Sequence, residues 1–107
     1  MMAGALTPTE VDFTWQLGVD YVKVFPSSAV GGASYIKALK GPFPEIPFIP
    51  TVGVNLQTAA DFLKAGSVAL GVGGELVQAA ALKAKQPEII TETARKLVEI
   101  IRAARQS

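Results

Sequence analysis

Hydrophobic positions along this chain recur in two rhythms, and their alternation predicts helices and strands in turn. Thr7-Pro8-Thr9-Glu10 reads as a helix start: Thr7 suits the cap, Pro8 the first helical position, and Glu10 reaches back to complete a capping box. Val11 and Trp15, one turn apart, share the buried side of that helix, which runs to about Leu17 before Gly18 supplies the left-handed residue that ends it. Tyr21-Val22-Lys23-Val24-Phe25 follows as a strand and Pro26 closes it. Ser27 to Gly32 is a loop of small residues leading into a helix over 33–40, where Tyr35, Ile36 and Leu39 give apolar contacts and Gly41-Pro42-Phe43-Pro44 forces a stop. Pro47-Phe48-Ile49-Pro50-Thr51 is a short strand ending in Val52-Gly53, in which Pro50 is tolerated only where no ladder donor is needed.

Asn55 suits the cap of a third helix carrying Leu56, Ala59, Ala60 and Leu63 at helical spacing, and Ala65-Gly66 ends it. Val68-Ala69-Leu70-Gly71-Val72 reads as a fully buried strand running into Gly73-Gly74, with a short helical turn around Glu75 to Val77. Residues 79–86 are alanine-rich and read as helix or linker. Pro87 opens a terminal helix whose inner stripe is Ile90, Ala94, Leu97, Val98 and Ile101, with Glu92 and Lys96 ordered for an ion pair one turn apart on its solvated side. Helices and strands thus alternate with short connections, which predicts repeated right-handed βα units and a parallel sheet.

At 107 residues and 50% hydrophobic content the chain is expected to be a single soluble domain, below the roughly 250 residues typical of a closed eight-stranded α/β barrel. A formal charge of +1, from ten basic and nine acidic residues spread along the chain, argues against nucleic acid or an anionic membrane as partner. The absence of cysteine and histidine removes disulfides, thiol nucleophiles, Ser/His triads and the usual zinc ligands, so covalent chemistry falls to lysine or a hydroxyl. No segment approaches the ~18 apolar residues of a membrane span, and the first residues lack the charged and apolar regions of a signal peptide, so a cytoplasmic location is expected.

Lys23 is the candidate for that chemistry. Side chains alternate along a strand, so Tyr21, Lys23 and Phe25 share one face while Val22 and Val24 share the other. With both faces covered, Lys23 lies in the interior, where an unpaired ammonium costs several kcal/mol and the group avoids that cost by becoming neutral. A neutral lysine attacks a ketone to form a Schiff base, the chemistry of class I aldolases and related lyases. A half-exposed edge strand with Lys23 in water fits the same run, since edge lysines block aggregation. In a parallel α/β architecture the ligand site lies at the carboxyl ends of the strands, where the loops at Ser27 to Gly32, Val52 to Asn55 and Gly71 to Glu75 meet. Glycine turns leading into helix starts can hold a phosphate on their N–H groups, or can serve only as tight turns; none of these loops matches G-x-G-x-x-G or the P-loop pattern.

Gly4-Ala5-Leu6-Thr7-Pro8-Thr9-Glu10, Val22-Lys23-Val24-Phe25-Pro26, Lys40-Gly41-Pro42-Phe43-Pro44, Pro50-Thr51-Val52-Gly53-Val54 and Gly71-Val72-Gly73, in that order, resemble the carboxyl half of the 2-keto-3-deoxy-6-phosphogluconate (KDPG)/4-hydroxy-2-oxoglutarate (KHG) aldolase family over nearly the whole chain. The resemblance implies a partial (β/α)8 TIM barrel of about three to four parallel strands, with residues 1–107 as one carboxyl-half unit. It implies a class I aldol cleavage of KDPG or 4-hydroxy-2-oxoglutarate to pyruvate and an aldehyde, with no metal or cofactor. The family's Schiff-base lysine falls on Lys23, its substrate-binding residues on Phe25, Pro26 and Thr51, of which Thr51 would help hold the pyruvate portion, and its phosphate-binding positions on Gly53, Gly73 and Gly74. Val52 replaces the first glycine of the family's P-T-G-G turn, which disfavours any positive φ there, and Gly74 stands where the family has a serine. The family's glutamate acid/base belongs to the amino half of the barrel, outside these residues. Three or four strands leave two unpaired edges and an exposed inner face, so the expected partner, beside a small keto acid with or without phosphate, is a second copy of the chain or a complementary half-barrel chain; collapse to a small open sheet with helices on both sides is the other outcome.

Overall fold

A computed structural model describes residues 1–106. Strands β1 (Met2–Ala5), β2 (Tyr21–Val24) and β3 (Phe48–Pro50) form one parallel sheet in the order β1-β2-β3. Helix α1 (Pro8–Gln16) connects the first two strands; a 3-10 turn (Ser27–Val30) and α2 (Ala33–Lys40) connect the next two; α3 (Ala59–Lys64), α4 (Ala79–Lys83) and α5 (Pro87–Gln106) follow. The alternating architecture and the parallel pairing are those the sequence predicts.

Local chemistry sets the helix starts. The Thr7 hydroxyl accepts from the Glu10 N–H at 3.3 Å and the Glu10 carboxylate accepts from the Thr7 N–H at 3.0 Å, closing the capping box. Bonds from the Thr7 N–H and hydroxyl hold the Glu10 carboxyl below its ordinary value. Asn55 caps the turn before α3: its side-chain oxygen accepts from the Thr58 N–H at 3.0 Å while the Thr58 hydroxyl accepts from the Asn55 N–H at 3.0 Å. Gly18 ends α1 with a φ of 87°.

The strand register separates the sheet into two unlike faces. Ala5 pairs with Val24, Val22 with Phe48 and Val24 with Pro50, and these side chains are buried under Val11 of α1, Ile36 and Leu39 of α2 and Phe62 of α3. Each such Val, Ile, Leu or Phe removed from water stabilises the fold by about 1.5–3 kcal/mol. The opposite face carries Met2, Tyr21, Lys23 and Ile49, and it is open: Met2 and Tyr21 are exposed, Lys23 and Ile49 half-buried. The exposed inner face expected of a partial barrel is therefore present.

Several elements depart from the pattern read along the chain. Residues 68–72 form no regular strand. The Val68 N–H donates to the Phe48 carbonyl and the Gly71 N–H to the Pro50 carbonyl, and Thr51 pairs Gly71 in a single bridge, leaving Val68 exposed. β3 is the only strand beside this segment among the described residues, so one side of it stays wet. In α3 the deeply buried position is Phe62, with Leu63 half-buried. In α5 the buried line runs through Leu97 with Ile90, Ala94, Ile100 and Ile101 half-buried, while Val98 faces water, because a step of one residue turns ~100° around the axis. Glu92 pairs Arg95 at 2.7 Å rather than Lys96. Among the described residues no helix is long and apolar enough to cross a membrane.

Candidate active site

Lys23 stands on the middle strand of the sheet, paired with Gly4 on β1 and Ile49 on β3. This removes the edge-strand alternative. It also corrects the expectation of an interior lysine: only the Val22–Val24 face is covered, so Lys23 is half-buried and its Nζ lies 5.3 Å from the centre of the Phe25 ring, within cation–π reach. The amine opens onto a cleft of about 350 Å³ walled by Met2, Ile49, Thr51, Leu70 and the Gly71–Gly73 segment.

Thr51 is placed by a residue the sequence reading left inside a loop. Ser27 is fully buried; its hydroxyl donates to the Val24 carbonyl at 2.7 Å and accepts from the Thr51 N–H at 3.2 Å, and its own N–H donates to the Thr51 carbonyl at 2.9 Å. The Thr51 N–H also donates to Val24 at 3.0 Å. The carboxyl ends of β2 and β3 are thereby fixed to each other, and Thr51 is held at a set distance along the sheet from Lys23. The only trace of Ser27 in the sequence is a hydroxyl directly after the proline that closes the strand.

A second cleft of about 270 Å³ lies beyond Thr51, lined by Val52, Gly53, Val54, Gly71, Gly73, Gly74 and Glu75. The two clefts share Thr51, Gly71 and Gly73, so they lie next to each other. A Cβ on Gly71 would stand 2.5 Å from the Thr51 hydroxyl oxygen, and one on Gly53 2.6 Å from the Ser28 Cβ; neither position admits a side chain without movement. Val52 and Gly53 take φ values of 74° and 82°. The turn thus keeps a left-handed backbone at Val52 despite the branched side chain, against the preference read from the sequence. Gly73 and Gly74 face open space.

Of the predicted site residues, Lys23 lines the first cleft, Gly53 and Gly74 the second, and Thr51 and Gly73 both. Phe25 touches the site through its ring above Lys23 but is exposed, and Pro26 begins the 3-10 turn; neither lines a cleft. Among the described residues lining these clefts, Lys23 is the one cation, in the first, and Glu75 the one carboxylate, in the second.

A family model described as KDPG and KHG aldolase matches residues 1–93. The KHG/KDPG aldolase of Escherichia coli (strain K12) is 35% identical over 99 residues, covering 92% of this chain and 46% of the relative. The 2-dehydro-3-deoxy-phosphogluconate aldolase of Dickeya dadantii is 36% identical over 98 residues, with the same coverage of 92% and 46%. A native KDPGal structure superposes with a TM-score of 0.86 at 32% identity, covering 99% of this chain and 50% of the other. KDPG aldolase from Legionella pneumophila, solved with pyruvate captured as a covalent carbinolamine, gives a TM-score of 0.76 at 31% identity over 84% of this chain and 44% of the other. The chain spans about half the length of the curated relatives it matches.

Proposed function

This chain belongs to the KDPG and KHG aldolase family, and from that premise we propose that it supplies the Schiff-base centre of a cytoplasmic class I aldolase. The reaction is aldol cleavage of a 4-hydroxy-2-keto acid, the class that includes KDPG and 4-hydroxy-2-oxoglutarate, to pyruvate and an aldehyde. The observation that carries this reading is the Lys23 amine on the middle strand, opening onto a cleft whose wall includes Thr51 and Gly73 and which adjoins the cleft at the glycine turns.

In the proposed reaction the Lys23 amine, in its neutral form, adds to the C2 carbonyl and the carbinolamine loses water to an iminium. The C4 hydroxyl then gives its proton to a base, the C4 oxygen becomes the aldehyde carbonyl, and the C3–C4 electron pair moves into the iminium to leave an enamine. Protonation at C3 and hydrolysis release pyruvate and restore the amine. Thr51, fixed by Ser27, holds the pyruvate portion beside Lys23. The Phe25 ring covers the amine, and Pro26 sets the turn behind it. Gly53, Gly73 and Gly74 form the far wall, where the aldehyde portion lies.

A second reading rests on the open face. Met2, Tyr21 and Phe25 are 52%, 44% and 51% exposed on the side of the sheet that carries Lys23, a surface suited to a second copy of the chain or a complementary half-barrel. The two readings are compatible, since covering that face would also dry the amine.

Incubation with pyruvate and borohydride tests the chemistry. Peptide mass mapping is expected to find one reduced pyruvate adduct on Lys23 and none on a Lys23→Ala variant. Lack of labelling, under conditions that label a full-length relative, removes the Schiff-base role.

A further inference from the structure

We propose that Ser27 is a positioning residue for the Schiff-base centre: it sets where Thr51 stands relative to Lys23 without itself touching substrate. The inference rests on the aldolase reading of Lys23 and concerns the cleft that Lys23 and Thr51 both line. Ser27 is fully buried and lies outside that cleft wall.

The need for such a residue arises in the sequence. The Val22 N–H donates to the Pro47 carbonyl at 3.0 Å, and a parallel ladder repeats its bonds at every second residue, so an N–H at position 26 is due at the Thr51 carbonyl. Position 26 is Pro26, which has no N–H to give. The ladder between β2 and β3 would therefore fail at the end of the sheet that carries the site. Ser27 takes over, its N–H donating to the Thr51 carbonyl at 2.9 Å.

The Ser27 hydroxyl adds a second tie. It donates to the Val24 carbonyl at 2.7 Å and accepts from the Thr51 N–H at 3.2 Å, using both capacities of one small group. Val24 directly follows Lys23 on β2, and Thr51 directly follows β3. A single side chain thus spans the two strand ends that present the amine and the threonine. The Ser27 carbonyl in turn accepts from the Gly32 N–H at 2.9 Å, which anchors the tie to the start of α2. On its other side Thr51 is confined by Gly71, where a Cβ would stand 2.5 Å from the Thr51 hydroxyl oxygen.

Removing the hydroxyl separates placement from folding. In Ser27→Ala the Thr51 N–H keeps the Val24 carbonyl at 3.0 Å and the Thr51 carbonyl keeps the N–H of residue 27, so no buried donor is orphaned. What goes is the tie that fixes Thr51 against β2.

Borohydride trapping of the 107-residue chain across a range of pyruvate concentrations tests this, because it reads the half-saturating concentration and the maximal labelling rate of Lys23 separately. Ser27→Ala is expected to raise the half-saturating concentration ~5-fold, the net effect of one ordinary hydrogen bond. A loss of folded chain alone would lower the amount labelled and leave that concentration where it was. Thr51→Ala is expected to raise it too, and the double variant to go no further than Thr51→Ala, because Ser27 acts through Thr51. An unchanged half-saturating concentration in Ser27→Ala, or single effects that multiply in the double variant, overturns the proposal. Amide hydrogen exchange gives a second reading that needs no substrate: in Ser27→Ala, exchange at Thr51 is expected to quicken ~5-fold relative to Val22, at the other end of the same ladder. Equal quickening at both overturns the tie. If pyruvate labels no lysine in the wild-type chain, the Schiff-base reading falls and the positioning role with it, while exchange at Thr51 still decides whether Ser27 holds the turn.

Discussion

Gly53 and Gly73 line one cleft, yet the backbone makes different demands at each. Gly53 has a φ of 82° and a Cβ there would lie 2.6 Å from the Ser28 Cβ, whereas Gly73 has no such conformation and nothing within 4 Å. Gly53→Ala is expected to cost about 1–2 kcal/mol for the left-handed conformation and about 1–3 kcal/mol more for the clash. Gly73→Ala should stay within about 0.5 kcal/mol of the parent. At Val52, exchange for glycine relieves about 1–2 kcal/mol of conformational strain and loses about 0.5–1 kcal/mol to the freer unfolded chain, a net change between roughly zero and a gain of about 1.5 kcal/mol. Urea midpoints at unchanged slope check all three, and equal losses for the two alanine variants would refute the geometry. The sequence revealed Val52 as an odd residue for a turn of this family, but not that the turn keeps its left-handed shape. On either side of it Thr51 is bonded to Ser27 and Gly53 lies against Ser28, more than twenty positions earlier, in contacts no local pattern encodes.

Elements were legible where their determinants lie within a few residues. The Thr7–Glu10 capping box closes over three positions, so its residues announce it, and it makes a pH-dependent contribution whose sign is fixed. The carboxyl of Glu10 is lowered from its ordinary value of 4.5, first by the Thr7 N–H and then by the Thr7 hydroxyl. A group lowered on folding adds stability that is present above its unfolded value and lost as pH falls through the folded one. Stability of the parent chain should therefore decline on acidification below about pH 4.5, with a smaller decline in Glu10→Gln. Parallel urea titrations at neutral pH and near pH 3 measure it; identical declines would show that the box carries no such linkage. Residues 68–72 misled for the opposite reason. Val68-Ala69-Leu70 has the composition of a buried strand, but a strand needs neighbours, and this segment makes only two backbone hydrogen bonds to β3 and a single bridge to Thr51 just beyond it among the described residues. Val98 failed on a finer point: it is apolar and next to the buried Leu97, but one residue off the helix's contact line.

At the scale of the whole molecule the order of elements was readable and closure was not. Val22 and Val24 are completely buried on one face of β2 while Tyr21 and Phe25 beside them are 44% and 51% exposed on the other, an asymmetry foreign to a parallel sheet covered on both sides. The radius of gyration is 14.6 Å against about 13 Å for a compact chain of this length, in keeping with a 20-residue α5 that buries only Leu97. Contiguous apolar surface of this kind marks an interface. The chain is therefore expected to scatter light as a species heavier than its own 11.2 kDa. Tyr21→Lys places a charge on that face without touching either cleft, and should shift the mass toward a single chain while helix content by circular dichroism stays unchanged. A parent chain that runs as a monomer and binds no hydrophobic dye would mean that the face is closed by its own residues, and Lys23 would then owe its surroundings to this chain alone.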